Sequence, residues 1–433
     1  MKVEDLSFKF AKYIISKFDL IIPGYDEPYS VDTAHIGNWS IEKNYEEYLF
    51  PYLEFRCIVP DKVYRDIMEN SENVYVDLKI EYRLIEDLYE LATGSMDAYG
   101  TILENRFYAF IDNKSPKLTD DTRGEIAKDK LSEDGLTQYS YDNTKPIVMA
   151  LYRADHIFLT NQIVNAILSG CTVADGVAYM FKQLNIGQVL MSPSDNTKIY
   201  DQMVIPPLPA HKGLFRLVNT YCLHKAGTVV FFDYDMIYLL NKKIGPTAWI
   251  PNEIKTVYLT SFPNATDSGV MRSGFYANGT ERYCAINIIG NTLSITNESM
   301  FADQVDGGNI ISIDSNTGVV TTLDSSLNVS EVSPSKQGKY NRVVVQNTGA
   351  GDTIESARAA IEQSQNVLNI TVENVNIRAL SPNKDFIFTT DNTKYSRYTG
   401  HYRITNMSSV FTRESELYTV MSTARFVGGV QQI

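Results

Sequence analysis

Apolar and polar positions alternate most regularly between Val74 and Leu84. Val74, Val76, Leu78, Ile80, Tyr82 and Leu84 fall on one side of an extended chain, and Tyr75, Asp77, Lys79, Glu81 and Arg83 on the other. Such a strand belongs to a sheet that buries one face and shows the other to solvent or to a wide channel. Burying the four charges together would strip them of water, which keeps that face out of the core. Leu53, Phe55, Cys57 and Val59 alternate in the same way with Glu54, Arg56 and Ile58, predicting a half-buried strand that ends at Pro60. Asp61 then caps a short helix, DKVYRDIMEN. Residues 1–18 are rich in apolar residues without a clean period and fit helix and strand equally.

Residues 112–146 are polar and charged, with Pro116, Gly124, Gly135 and Pro146, and read as a loop or insertion. A strand-like block runs from Pro146 to about Leu168. Thr172 with Asp175 three residues on marks a helix start, and Val173, Val177, Met180, Phe181 and Leu184 share one face of a helix ending near Gly187. A strand leads into IPPLP at 205–209. A second helix, from about His211 to His224, presents Leu214, Leu217, Val218 and Tyr221 on one side, and Ala226-Gly227 stops it. TVVFFDYDMIYLL then predicts a buried strand or hairpin, so helices and strands interleave in a compact α+β unit. From about 246 to 350, short strands are separated by Asn, Gly, Ser and Thr, with an exposed Ser-rich loop around 321–338. Asp352 to Ser364 predicts one helix, and FIFTT, HYRITNMSSVF and LYTVMSTARF within 385–427 predict an antiparallel meander.

Composition changes this picture in two ways. The chain has 28 Tyr and 19 Phe beside 2 Trp, and tyrosine suits half-buried strands and subunit interfaces, where a ring packs while its hydroxyl stays wet. The formal charge is −13 with no cluster of Lys and Arg, which excludes tight binding to a nucleic-acid backbone, although an acidic surface lets DNA pass without sticking. The N-terminal run MKVEDLSFKFAKYIISKF lacks a signal-peptide pattern, and no apolar run is long enough to cross a membrane. Cys57, Cys171, Cys222 and Cys284 lie far apart among apolar neighbours and read as reduced, buried thiols.

Motifs for chemistry are missing: no phosphate loop, GxGxxG, HExxH, GxSxG or CxxC. His35, His156, His211, His224 and His401 never stand at metal-pair spacing. Asp233 and Asp235, two apart on a strand, would put both carboxylates on one face, as a metal site or acid/base pair requires. With no histidine nearby, the preferred reading has them end a buried strand and accept hydrogen bonds from turn amides. No catalytic residue, metal or cofactor is expected.

The middle of the chain resembles the α+β domain of phage tail baseplate hub proteins. The features follow in the family's order: helix Thr172 to Leu184, Asp195-Asn196, the strand ending Ile205-Pro206-Pro207, helix His211 to His224, and Phe231-Phe232-Asp233. The segment YTGHYRITNMSSVFTRESELYTVMSTARF is similar to that family's closing hairpin, and residues 50–84 to the first half of its tube domain. Residues 250–350 have no counterpart. The resemblance implies a β-rich α+β chain with two tube-like β-barrel domains, an α+β domain and a β-rich insertion. The first tube-like domain would span 1–110, completed by about 146–170, with a loop insertion at 111–145. The α+β domain would span 171–245, the insertion 246–350, and a helix with antiparallel strands, the second tube-like domain, 351–433.

The resemblance further implies a non-enzymatic virion protein, made in the host bacterial cytoplasm. It would form a homotrimeric baseplate hub that joins a sixfold tail tube to a threefold spike. Its partners would be its own copies, the tail tube protein, a spike or tip protein and other baseplate proteins, with DNA only in transit. Asp77 and Glu81 would be channel-facing. The rival readings are a receptor-binding, adhesin-like virion protein and a cell-wall carbohydrate hydrolase on a β scaffold.

Overall fold

The computed structural model describes residues 10–45, 50–85, 99–111, 144–224, 227–234, 236–241, 256–261, 274–278, 281–288, 293–296, 310–314, 320–323, 329–331, 342–346, 366–414 and 416–430. The chain opens with β1 (Phe10–Ile21), β2 (Tyr29–Ser30), β3 (Ile36–Asn44), β4 (Tyr52–Pro60), helix α1 (Asp61–Glu69), β5 (Tyr75–Ile85), β6 (Tyr99–Ile111) and β7 (Thr144–Arg153). Then come α2 (Ala154–Asn161), β8 (Ile163–Leu168), α3 (Val173–Gln183), β9 (Val189–Met191), β10 (Met203–Pro209), α4 (Ala210–Thr220), β11 (Thr228–Phe232) and β12 (Ile237–Asn241). Short strands β13 (Thr256–Ser261), β14 (Gly274–Asn278), β15 (Glu281–Asn287) and β16 (Leu293–Thr296) precede a separate sheet of β17 (Ile310–Asp314), β18 (Val320–Leu323), β19 (Val329–Glu331) and β20 (Arg342–Gln346). The last described elements are β21 (Asn366–Glu373), β22 (Asp385–Thr390), β23 (Gly400–Glu414) and β24 (Leu417–Val430).

Eight strands close a barrel in the order β23-β3-β4-β7-β6-β5-β1-β24, with β24 returning to β23. Period-two alternation aims one side chain in two inward: Leu53, Phe55 and Cys57 from β4, Val76, Leu78 and Ile80 from β5, and Ile147, Met149 and Leu151 from β7 are all at most 1% exposed. Trp39 stacks between Phe411 (3.6 Å, 4°) and Phe55 (5.2 Å, 9°) at the centre. The barrel is therefore a packed core, and any channel must run outside it.

The hairpin β23–β24 belongs to a second sheet as well, ordered β16-β21-β24-β23-β22-β13-β15-β14. Its strands, 15 and 14 residues long, are long enough to serve both. Asn406–Phe411 pair with β3 of the barrel, whereas Gly400–Tyr402 pair with β22. The register shifts between Ile404 and Asn406, where β23 passes from one sheet to the other, as a bulge allows. The α+β unit packs its own core, with Val177, Met180, Leu214 and Leu217 between helices and strands. Gly176 lets α3 sit close on Met203 and Leu217. The fold is thus the β-rich α+β architecture, with barrel, that alternation and resemblance led us to expect.

Several local expectations change. The undecided N-terminal stretch is strand from Phe10. The block expected as strand from Pro146 to Leu168 is broken by α2, whose buried residues are only His156 and Leu159, so no apolar stripe announces it. Asp61 opens α1 rather than capping it: Pro60 holds the cap position without a side-chain hydrogen bond, and Asp61 pairs with Arg65 (3.1 Å). The second helix ends at Thr220 rather than His224, and Cys222 has φ 54. Part of the Ser-rich 321–338 segment lies in β18 and β19. The helix expected at Asp352 to Ser364 and nearly all of the expected loop 111–145 lie outside the described residues, as does Asp235. The Thr172 start is a full capping box: Thr172 Oγ1 accepts from the Asp175 amide, and Asp175 accepts from the Thr172 amide (2.9 Å).

Candidate functional site

The outer wall of β5 carries the charges singled out above. Asp77 lies opposite Arg106 of β6 and accepts from its Nε (2.7 Å) and Nη2 (3.1 Å), with Lys17 of β1 at 3.4 Å. The Arg106 hydrogen bond holds the Asp77 carboxyl below the usual range. Lys79 reaches both Glu81 (3.3 Å) and Glu104 (3.4 Å), which raises its own pKa. These are half-exposed pairs on a sheet face, each weak alone and together leaving that stretch nearly neutral. Asp77 and Glu81 thus stand outside the barrel core.

Further along the same wall, sequence reading missed a row that only strand pairing creates. Tyr52 faces Tyr152, Tyr152 faces Tyr108, and Tyr108 faces Tyr75, across β4, β7, β6 and β5. Ring centroids are 5.5 Å apart at Tyr52–Tyr152 and at Tyr75–Tyr108, and Phe110 adds a ring 5.3 Å from Tyr152. The planes are mostly crossed, 87° and 86° at two of these contacts, so the row offers no flat platform for a stacked ligand.

Asp233 has a structural place. The turn after β11 seats Tyr234 against the barrel, beside Phe107 and beneath the Lys43 ammonium (5.0 Å from the ring). Lys43 Nζ donates to Asp233 (2.6 Å), and the Tyr234 amide donates to the same carboxylate oxygen (2.8 Å). Arg153 Nη1 and Asn105 Nδ2 both donate to the Tyr234 carbonyl. Asp233 therefore ends a buried strand and accepts a turn amide, as expected, while also anchoring the α+β unit to the barrel. Asn196, in the expected Asp-Asn turn, donates to the Tyr221 (2.9 Å) and Cys222 (2.7 Å) carbonyls and so ties down the end of α4.

Histidines cluster at the same joint. The Phe50 ring lies 5.2 Å from His156 and 5.8 Å from His211. Burial, reinforced by Arg153, pushes the His156 pKa down to about 3, and burial lowers His211 and His224 too. The unfolded chain takes up a proton near pH 6.5 while folded His156 refuses it, so its contribution is complete above about 6.5 and is lost progressively below. We expect His156 alone to remove about 2 kcal/mol between pH 6.5 and pH 5. Urea unfolding at several pH values checks this, and His156→Gln should flatten the slope by about one proton. A wild-type stability that is level from pH 7.5 to 5 would contradict it.

No other chemistry converges. Among the described residues no three His, Cys, Asp or Glu side chains gather as a metal site would require. His401 Nδ1 meets Asp385 (2.9 Å), and His224 is held between Thr228 Oγ1 (3.0 Å) and the Ser192 carbonyl (3.1 Å). Burial pushes the Cys57 and Cys284 thiols up to about 12 and Cys222 to about 11, which leaves them protonated and unreactive. No described helix is long and apolar enough to cross a membrane.

Residues 22–425 match the family model of the bacteriophage PBS1 gene 109 protein, and the chain belongs to that family. The resemblance to phage proteins read from the sequence holds at this level. No curated protein matches the sequence. Among solved structures, the chain is similar to a tail protein from Neisseria meningitidis MC58, with 11% identity, a TM-score of 0.46, and 95% of this chain and 96% of that one covered. It is also similar to the 43 kDa tail protein of prophage MuSo2 from Shewanella oneidensis, with 10% identity, a TM-score of 0.44, and 94% and 97% covered. A third is the prophage tail protein gp18 from Listeria monocytogenes EGD-e, with 9% identity, a TM-score of 0.41, and 96% of each chain covered.

Proposed function

We propose that this chain is a structural protein of a phage tail baseplate: a homotrimeric hub that joins a sixfold tail tube to a threefold spike and lines part of the DNA channel. The observation that carries this reading is one hairpin, β23–β24, shared between a closed eight-stranded barrel and a second sheet of eight strands. Each copy thereby holds two sheet units in fixed relation, and three copies would supply six around an axis. The packed barrel interior puts the channel between barrels, lined by outer walls such as that of β5, where Asp77 and Glu81 would contribute to an acidic lining. The tail tube protein, a spike or tip protein and other baseplate proteins would be its partners in the virion. Salt-bridged walls and aromatic rows, in place of converging catalytic groups, support a non-enzymatic role.

The test is cross-linking within purified tails, with negative-stain images of the isolated protein. A trimer and a ring with an axial hole are expected. Dimers or even-numbered species alone would remove the reading.

A further inference from the structure

Apolar side chains reach solvent unevenly. Of the ten exposed large hydrophobics among the described residues, seven lie between Phe158 and Phe215, in the α+β unit. The three on the β8/β10 ribbon share one face. Ile163 (65% exposed) and Ile167 (68%) alternate along β8, and Val204 (45%), on β10, pairs directly with Ile167. The other face of the ribbon packs on the helices through Val164, Met203 and Ile205. Neither strand, IVNAIL or MVIPPLP, carries a charge.

We infer that this open face is the contact between copies of the chain, the three ribbons converging on the threefold axis; this rests on the trimeric reading above. Charge selects the occupant. A basic partner would be drawn to the acidic surface of a chain with net charge −13, whereas another acidic copy can approach closely only where charge is absent. The contact is made by the face and not by the edge of β10. Pro206, Pro207 and Pro209 have no N–H to offer a further strand, and the Val204 amide is already taken by Tyr221 Oη (2.8 Å). Around an axis, each apolar face meets both neighbours, so one patch suffices for closure.

The experiment uses the full chain. Light scattering should give the wild type three times its 48.8 kDa. Ile167→Lys, and separately the Ile163→Lys/Val204→Lys double variant, should lose the trimer and run as monomers with unchanged circular dichroism and melting temperature, because these side chains support no core. In Ile167→Cys, diamide takes the two thiol hydrogens of a neighbouring pair and a disulfide forms. On an axis, two chains of each trimer should be linked and the third left single on a denaturing gel. Variants that remain trimeric, a wild type that stays monomeric, or complete linkage into pairs would each overturn the assignment. Lysine variants that stay trimeric would leave the hub reading standing, whereas dimers alone in purified tails would remove that reading itself.

Discussion

Leu78→Asp is expected to abolish soluble protein, while Glu81→Lys, three residues on in the same strand, should fold. Leu78 is 1% exposed, inside the barrel and opposite Phe18 of β1. Replacing it removes about 2–3 kcal/mol of apolar burial and leaves a carboxylate with no partner in a dry interior. The sum exceeds about 4 kcal/mol, against a total domain stability of about 5–15 kcal/mol. Glu81 stands on the other face, where losing its exposed contact with Lys79 costs little and water solvates the new charge. Expression in the soluble fraction and thermal melts would check both arms. In assembled tails, Asp77→Lys and Glu81→Lys should leave the particle intact and slow DNA ejection if the β5 wall lines the channel. Soluble, fully assembled Leu78→Asp beside unfolded Glu81→Lys would mean that the faces are reversed.

The second large effect is expected at the joint between barrel and α+β unit. Asp233→Ala should destabilise the protein by about 3–5 kcal/mol, because it strands the Lys43 ammonium where its side chain is 13% exposed. Lys43→Met should cost a comparable amount by stranding the carboxylate, yet Lys43→Met/Asp233→Leu should recover much of either loss, since an apolar pair of similar size has no charge to desolvate. Denaturant unfolding of the four proteins gives the coupling directly. Additive losses below about 1 kcal/mol would show that the pair does not hold the joint.

Much of this architecture was legible along the chain. Strict alternation gave β5 its faces, and the Thr172/Asp175 pair gave α3 its start, because both signals are local and have few alternatives. What escaped was non-local or weakly patterned. Helix α2 buries a histidine where a stripe would carry an aliphatic residue, and β1 has too few polar breaks to show its period. The tyrosine row needs residues 52, 75, 108 and 152 brought into register, which no window along the sequence contains. Asp233 was recognised as a turn acceptor, but its cation is Lys43, distant in sequence and placed by the barrel's closure. The exposed face of β8 and β10 looked like ordinary buried strand, because an interface with another chain and a core are written in the same apolar residues.

The shared hairpin also fixes when the molecule can be finished. On the ribosome, β1 and β3 emerge early, yet their barrel neighbours β24 and β23 are made only after roughly 250 further residues. At about 5–20 residues per second, the half-built barrel waits roughly ten to fifty seconds with two unpaired edges. Those edges invite pairing with other nascent chains, or capture of a hairpin belonging to a neighbouring copy. A host chaperone that shields strand edges for that interval, or slow synthesis at low temperature, should therefore raise the yield of correctly closed protein more than any change to its core.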